Sequence, residues 1–286
     1  MKISRFIKVC MAACLSIALV ACSSSSSSRS VSIPDTKDIQ KIQDRGVLRV
    51  GVKKSVPGFS EKKDGKYQGL EVDLAKKLAD DLGVKVQYTS VTTTSRETLL
   101  KSGKIDCVIA TYTITKERKK EFDFSTPYYI SHVSVLVDDD NIKTLSDLNG
   151  RTIGVVTNSN SAKDLVKAMI DQGLINGTGF DEDNFDPTTW TTGVSFHVYD
   201  DYTQCDAALT AGGIDGMSTD TSILKGYTTG SRHLIDAEFA PQKYGIATKK
   251  DSGLSEFVNN EVKQWKKDGS IKALEKSYDL YTMSVV

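Results

Sequence analysis

From about residue 38 the chain alternates short apolar runs with segments whose apolar positions recur at helical spacing. Residues 47–52 read as a strand. In 69–82 the positions Leu70, Val72, Leu74, Ala75, Leu78, Ala79 and Leu82 predict an amphipathic helix, and 84–91 is extended again, which makes a β-α-β unit. A short helix is predicted over 96–102, a buried strand over 105–110 and a charged helix start over 115–120. A second series follows, with 145–148, a strand at 152–156, a helix at 162–172, a helix at 202–211 and a strand at 214–218. The chain closes with a strand at 244–248 and helices at 254–268 and 271–278. Such alternation predicts an α/β fold, with parallel sheet covered by helices.

The first residues follow a different pattern. Lys2, Arg5 and Lys8 precede an almost unbroken apolar run over 9–20, the arrangement of an export signal. The run is shorter than the roughly 20 apolar residues that a membrane span needs. It ends in Leu19-Val20-Ala21-Cys22, which resembles the bacterial lipobox, where cleavage exposes a cysteine for lipidation; Cys22 is the implied acceptor. The serine run 23–28 and its continuation to Ser32 cannot bury surface and read as a flexible tether. Residues 1–21 are therefore expected to be a lipoprotein signal peptide and 22–37 a lipidated, Ser-rich tether holding an extracytoplasmic body to the cell membrane.

Composition then narrows the body. The 286 residues carry 37 Lys+Arg and 37 Asp+Glu; without Lys2, Arg5 and Lys8 the remainder holds 34 basic groups, a net of about −3. No basic excess points to nucleic acid, and the length suits two domains or one large α/β unit. Of five Cys only Cys107 and Cys205 lie beyond the signal and the lipid acceptor, and they read as two separate buried thiols. His132, His197 and His233 have no ligand spacing, and neither HExxH, GxSxG nor a P-loop occurs, so no metal, cofactor or catalytic residue is expected. The acid-rich stretch 173–192 reads as a solvent-exposed insertion. Asp181 and Asp183 alternate as in an EF-hand, but Asp186 and Thr192 stand where its Gly and Glu are needed, so calcium is not expected.

Three motifs carry a resemblance: Gly69-Leu70-Glu71-Val72-Asp73-Leu74-Ala75, Ala110-Thr111-Tyr112-Thr113-Ile114-Thr115-Lys116-Glu117-Arg118-Lys119-Lys120, and Phe122-Asp123-Phe124-Ser125-Thr126-Pro127-Tyr128-Tyr129. In this order, after Gly46-Val47-Leu48-Arg49-Val50-Gly51-Val52, they resemble the extracytoplasmic substrate-binding proteins of ABC importers for polar amino acids. The resemblance implies a type II periplasmic-binding-protein fold: two α/β lobes joined by a two-strand hinge, with a central ligand cleft that closes by hinge motion. Lobe 1 would comprise 38–137 plus 242–286 and lobe 2 138–241, with crossing strands near Val135 and Gln242. It also implies a small amino acid, an ABC permease and its ATPase as partners, and a monomer. The insertion 173–192 departs from the family's typical length.

Holding a zwitterion away from water requires a counter-charge or several hydrogen bonds for each charge. By resemblance Arg118 is the α-carboxylate ligand, a bidentate role that Lys cannot imitate, with Thr113 and the backbone at Ala110 or Thr111 beside it. Asn160 or Ser161, between a strand and a helix, could meet the anion at a helix N-terminus or serve as a plain N-cap. Asp220 matches the family's carboxylate for the ligand ammonium. Arg96 matches the arginine that aspartate- and glutamate-binding members place against the second carboxylate. Lys53 or Lys54 stands near where glutamine-binding members carry an acid, although a solvated loop lysine is an equal reading. Phe59 and Tyr112 read as cleft walls or as core. Positive charge at Lys53 and Arg96 favours glutamate or aspartate. The same implied class also admits glutamine or asparagine, a sensor passing the signal to a membrane partner, or a dehydratase, which would need an additional acid or base in the cleft.

Overall fold

The computed structural model describes residues 31–280; Cys22, the predicted signal and most of the predicted tether lie outside the described residues. A five-stranded sheet has the order 85–90, 47–52, 107–108, 247–249, 122–124. Its first three strands are parallel, while Ala247–Lys249 runs antiparallel to both of its neighbours. A second sheet has the order 194–199, 151–156, 216–220, 129–137, 233–234, with Phe239–Tyr244 pairing to Tyr129–Val137. A small three-stranded sheet (55–56, 60–63, 66–68) lies off these two.

The inner parallel strands Val47–Val52 and Arg151–Val156 are buried along most of their length under helices, which explains their apolar runs, whereas the edge strand Lys85–Ser90 is not. Leu70–Asp81 covers Val47–Val52 with Leu70, Leu74, Ala75, Leu78 and Ala79, and Ser161–Asp171 covers the second sheet with Leu165, Val166 and Met169. Two long strands, Tyr129–Val137 and Phe239–Tyr244, connect the sheets. At one end Tyr129 and Tyr244 pack their rings 4.9 and 5.8 Å from Phe59; at the other, Val133 to Val137 pair with Gly216–Asp220. Phe59 is thus core and not a cleft wall.

Several elements depart from the pattern. The expected strand at 105–110 pairs in register only at Cys107–Val108, because Thr111 turns the chain at φ +42°; Asp106 and Ile109 still donate to the carbonyls of Arg49 and Gly51. The strand expected at 214–218 lies two residues later, at Gly216–Asp220. A helix not anticipated from the apolar pattern, Lys37–Arg45, buries only Ile39 and Ile42, and its signals are its caps: Thr36 accepts from the Ile39 N–H, and Gly46 adopts φ +68°. In the insertion, Asp181 and Asp186 spend their carboxylates on backbone N–H groups of Asp183 and Thr188. The segment is more than a solvated loop, however. Phe180, Phe185 and Trp190 cluster at 5.5–6.0 Å, and Phe185 seats on Phe196 at 6.3 Å. Cys107 and Cys205 are both buried free thiols.

One buried acid makes stability depend on pH. Glu261, on the helix Gly253–Lys267, is pushed up from 4.5 to about 7 by burial and then by the neighbouring Asp81 charge. The folded protein therefore holds a proton that the unfolded chain gives up, so stability present below about pH 4.5 is lost as pH rises toward 7. Glu261→Gln is expected to melt later than the parent at pH 8, by about 1 kcal/mol after screening is allowed for, and to match it at pH 4.5. Equal melting at pH 8 would refute this account of Glu261.

Candidate functional site

The site forms where the parallel strands of both sheets end at their carboxyl edges, the usual position for a ligand in open α/β sheets. Lys53 follows Val47–Val52, Thr111 and Thr113 follow Cys107–Val108, and Asp220 ends Gly216–Asp220. Arg96 lies in the first turn of Ser95–Lys101, Arg118 in Lys116–Glu121, and Asn160 directly before Ser161–Asp171. Lys53, Arg96, Thr111, Thr113, Arg118, Asn160 and Asp220 line one cavity of about 270 Å³. Two predicted positions stand just behind it: the Ala110 carbonyl accepts from Arg96 at 3.4 Å, and Ser161 exchanges a hydroxyl hydrogen bond of 3.0 Å with Ser159.

Three cations face one carboxylate here. Arg118 is anchored by Nη1 to the Thr113 carbonyl (2.9 Å) and by Nη2 to the Asn158 carbonyl (3.1 Å), with Glu97 3.9 Å from Nε. Arg96 is 2% exposed, stacks 3.8 Å over the Tyr112 ring, and has a buried Nε with no hydrogen-bond partner among the described residues. Arg118 lies 4.8 Å from the same ring. Tyr112 is therefore a platform for two guanidinium groups, fixed by its hydroxyl on Glu97 at 2.7 Å. Lys53 is 4% exposed and donates to Thr111 Oγ1 at 2.6 Å and Tyr202 Oη at 3.1 Å, whereas Lys54 is exposed. Burial, and then the Arg96 charge, lower the Lys53 ammonium to about 7. Burial likewise lowers Arg96 to about 10. Asp220, 8% exposed, accepts from the Tyr244 hydroxyl; burial raises its carboxyl, and that hydrogen bond and the three cations oppose the rise.

The cleft is closed. Lys53 meets Tyr202, Arg118 meets Asn158, and the Tyr227 hydroxyl donates to the Ser55 carbonyl at 2.8 Å, so groups from both sheets' loops touch across the site. Thr93, Ser159, Tyr202, Thr219 and Gln242 also line it, though the sequence reading did not assign them roles. Only Gln242 carried a signal, as one of the two crossing strands. Beneath the site, Glu71 is fully buried and accepts from the Thr111 N–H and the Tyr128 hydroxyl, both at 2.5 Å, and from Ser60 at 3.0 Å.

Two α/β lobes closed over a cavity lined by three cations and one carboxylate define a small-molecule binding protein of the type II periplasmic-binding-protein fold. The family model for bacterial extracellular solute-binding proteins, family 3, matches residues 48–280. The L-cystine-binding protein TcyJ of Escherichia coli is 32% identical over 97% of both chains. The glutamine-binding protein GlnH of Bacillus subtilis is 30% identical over 92% of both. The glutamate-binding protein GluB of Corynebacterium efficiens is 30% identical over 80% of this chain and 77% of its own. Among solved structures, the ancestral amino acid-binding protein AncCDT-1, a precursor of cyclohexadienyl dehydratase, superimposes with a TM-score of 0.70 at 30% identity, covering 84% of this chain and 98% of its own. A mutant of ArgBP from T. maritima gives 0.71 at 28% identity with the same coverage. The chain belongs to the bacterial extracellular solute-binding proteins, family 3: it is an extracytoplasmic amino-acid-binding component of an ABC importer. No helix among the described residues is long and apolar enough to cross a membrane.

Proposed function

We propose that the protein captures an acidic amino acid, L-glutamate or L-aspartate, as a monomer anchored through a lipid on Cys22, and hands it to a membrane permease driven by its ATPase. Lobe 1 (38–137 plus 242–286) and lobe 2 (138–241) close on the ligand. Arg118, with Thr113, Thr111 and the Ala110 backbone, takes the α-carboxylate; Asp220 takes the ammonium; Asn160 and Ser161 close the anion side from lobe 2. Arg96 and Lys53 take the second carboxylate.

The observation that carries this reading is Arg96. Its guanidinium is buried, its Nε lacks a partner, and neither it nor Lys53 forms an ion pair with a carboxylate among the described residues. A buried cation with an unmet N–H and no carboxylate in hydrogen-bonding contact is costly. A ligand carboxylate supplies that contact. The amide of glutamine, the ligand named for one relative, would leave it unpaired, and the cation of arginine would add to the repulsion.

Calorimetric titration of the purified protein with Glu, Asp, Gln, Asn and Arg tests the assignment. Glutamate or aspartate is expected to bind at least about tenfold more tightly than the other three, a gap of about 1.4 kcal/mol. In Arg96→Leu the preference is expected to shrink while a neutral amino acid still binds. Glutamine or arginine binding the parent protein more tightly than either acid would refute the acidic reading.

A further inference from the structure

The crossing strand Phe239–Tyr244 carries a break in its pairing. Phe239 opposes Val133 and Pro241 opposes His132, so Ala240 is an extra residue, and it sits at φ +47°. A left-handed alanine persists only where its surroundings enforce it, and a bulge beside a site re-aims a neighbouring side chain. The side chain here is Gln242, which is 4% exposed and lines the ligand cavity. Its Nε2 donates to the Ala240 carbonyl at 2.9 Å and to Asp164 Oδ2 at 2.8 Å, so both amide hydrogens are spent. No described residue donates to its carboxamide oxygen, and that oxygen is not among the sealed, partnerless atoms, so it is open to the cavity. Asp164 reaches Gln242 from the first turn of Ser161–Asp171 and accepts, which keeps the amide from turning over. Asp220 lines the same cavity, and its charge is felt at Asp164.

We infer that Gln242 is a ligand-binding residue whose carboxamide oxygen accepts from the ligand ammonium beside Asp220, and that Asp164 is the positioning residue that aims it. This role rests on the reading of Asp220 as the ammonium's partner and not on the choice of an acidic side chain. An ammonium carries three N–H donors, and a single carboxylate that already accepts from the Tyr244 hydroxyl leaves donors over. A second fixed acceptor meets them, and it must be fixed, because a turned amide would point its own N–H groups at the ammonium. Protonation of Asp164 turns it: the carboxyl then donates to the Gln242 oxygen instead of accepting from Nε2. Burial pushes the Asp164 carboxyl up to about 6, with the Asp220 and Glu182 charges adding to the rise and the Lys163 charge and the Gln242 hydrogen bond opposing it. Capture therefore weakens as pH falls through about 6.

Calorimetry of the full protein, Gln242→Met, Asp164→Asn and Asp220→Asn tests this, with thermal melting as the control for folding. The probes are L-glutamate, L-glutamine and, by displacement, glutarate, which is glutamate without its ammonium. Gln242→Met is expected to weaken both amino acids by about tenfold and glutarate by less than about twofold. Asp164→Asn is expected to weaken the amino acids by about threefold near pH 7.5 and to flatten the pH profile, so that the further loss on going to about pH 5 is at least about threefold smaller than in the parent. Any titration of Asp220 remains in both proteins, so the difference reads Asp164. If Asp220→Asn leaves both amino acids unchanged, the reading of the ammonium site falls, and the role of Gln242 with it. If Asp220→Asn weakens them while Gln242→Met does not, or weakens glutarate as much, only the role of Gln242 is overturned. Parallel pH profiles in the parent and Asp164→Asn overturn the positioning role of Asp164.

Discussion

Arg118→Ala is expected to weaken binding of every amino acid by about a thousandfold or more, while the protein melts close to the parent. Two parallel charge-assisted hydrogen bonds to a carboxylate, at roughly 1.5–3 kcal/mol each, convert to that factor. The geometry makes Arg118 ready for the task before any ligand arrives. Its guanidinium is held by the Thr113 and Asn158 carbonyls and backed by Tyr112, so little side-chain freedom remains to be lost on binding. Those carbonyls come from loops of both sheets, so the same group that receives the anion also records closure. Arg118→Lys keeps the charge but not the fork, and is expected to recover only a small part of the affinity. Calorimetry of both variants against the parent's tightest ligand checks this, with thermal melting as the control. Binding by Arg118→Ala within tenfold of the parent would remove Arg118 from the site.

How much of this was legible in the sequence can be seen residue by residue. Thr111, Thr113, Arg118 and Asp220 belong to contiguous motifs, and the family resemblance those motifs carry is what pointed them to a cleft; without it Arg118 would read as one more surface charge in the helix Lys116–Glu121. Lys53 was half legible. The strand Val47–Val52 ends before it with three consecutive buried residues, so no period chooses between Lys53 and Lys54. Tyr202 reaches the cavity only because a segment distant in sequence folds against the first sheet's loops, and no local period reports that. The aromatic cluster of the insertion was hidden by the acids between its members. Phe180, Phe185 and Trp190 follow neither a helical nor a strand period, so they read as isolated residues in a polar loop.

Glu71 is the clearest case of a residue that sequence pattern misreads. It sits in the first turn of Leu70–Asp81, where an acid is ordinarily exposed and favoured by the helix dipole. This helix start is instead roofed by the small sheet and the Tyr128 segment, so Glu71 is fully buried. Its carboxyl is pushed up by burial and held down by hydrogen bonds from Tyr128 and Thr111 and by the Lys53 charge. The hydrogen bond to the Thr111 N–H is the important one. Thr111 is β-branched and sits at φ +42°, a conformation costing on the order of 1–3 kcal/mol unless its surroundings enforce it. Glu71 enforces it from below, and Thr111 in turn positions the Lys53 ammonium through its hydroxyl.

Glu71→Ala is therefore expected to act on both stability and binding. It strands the Thr111 N–H and the Tyr128 hydroxyl, each a buried donor costing about 1–3 kcal/mol when unpaired. The expected loss is about 3–5 kcal/mol in urea unfolding, at the upper end of single-site effects. Glu71→Gln retains one acceptor oxygen, and about half of the loss is expected. Because Thr111 and Lys53 relax when the support goes, the alanine variant is also expected to bind its acidic ligand more weakly where it is still folded. Arg118 is held by other partners, so neutral amino acids suffer less. An unchanged urea midpoint in Glu71→Ala would show that Thr111 holds its conformation without the carboxylate beneath it. Acidic and neutral ligands weakened alike would show that the support serves the whole cleft and not the Lys53 corner.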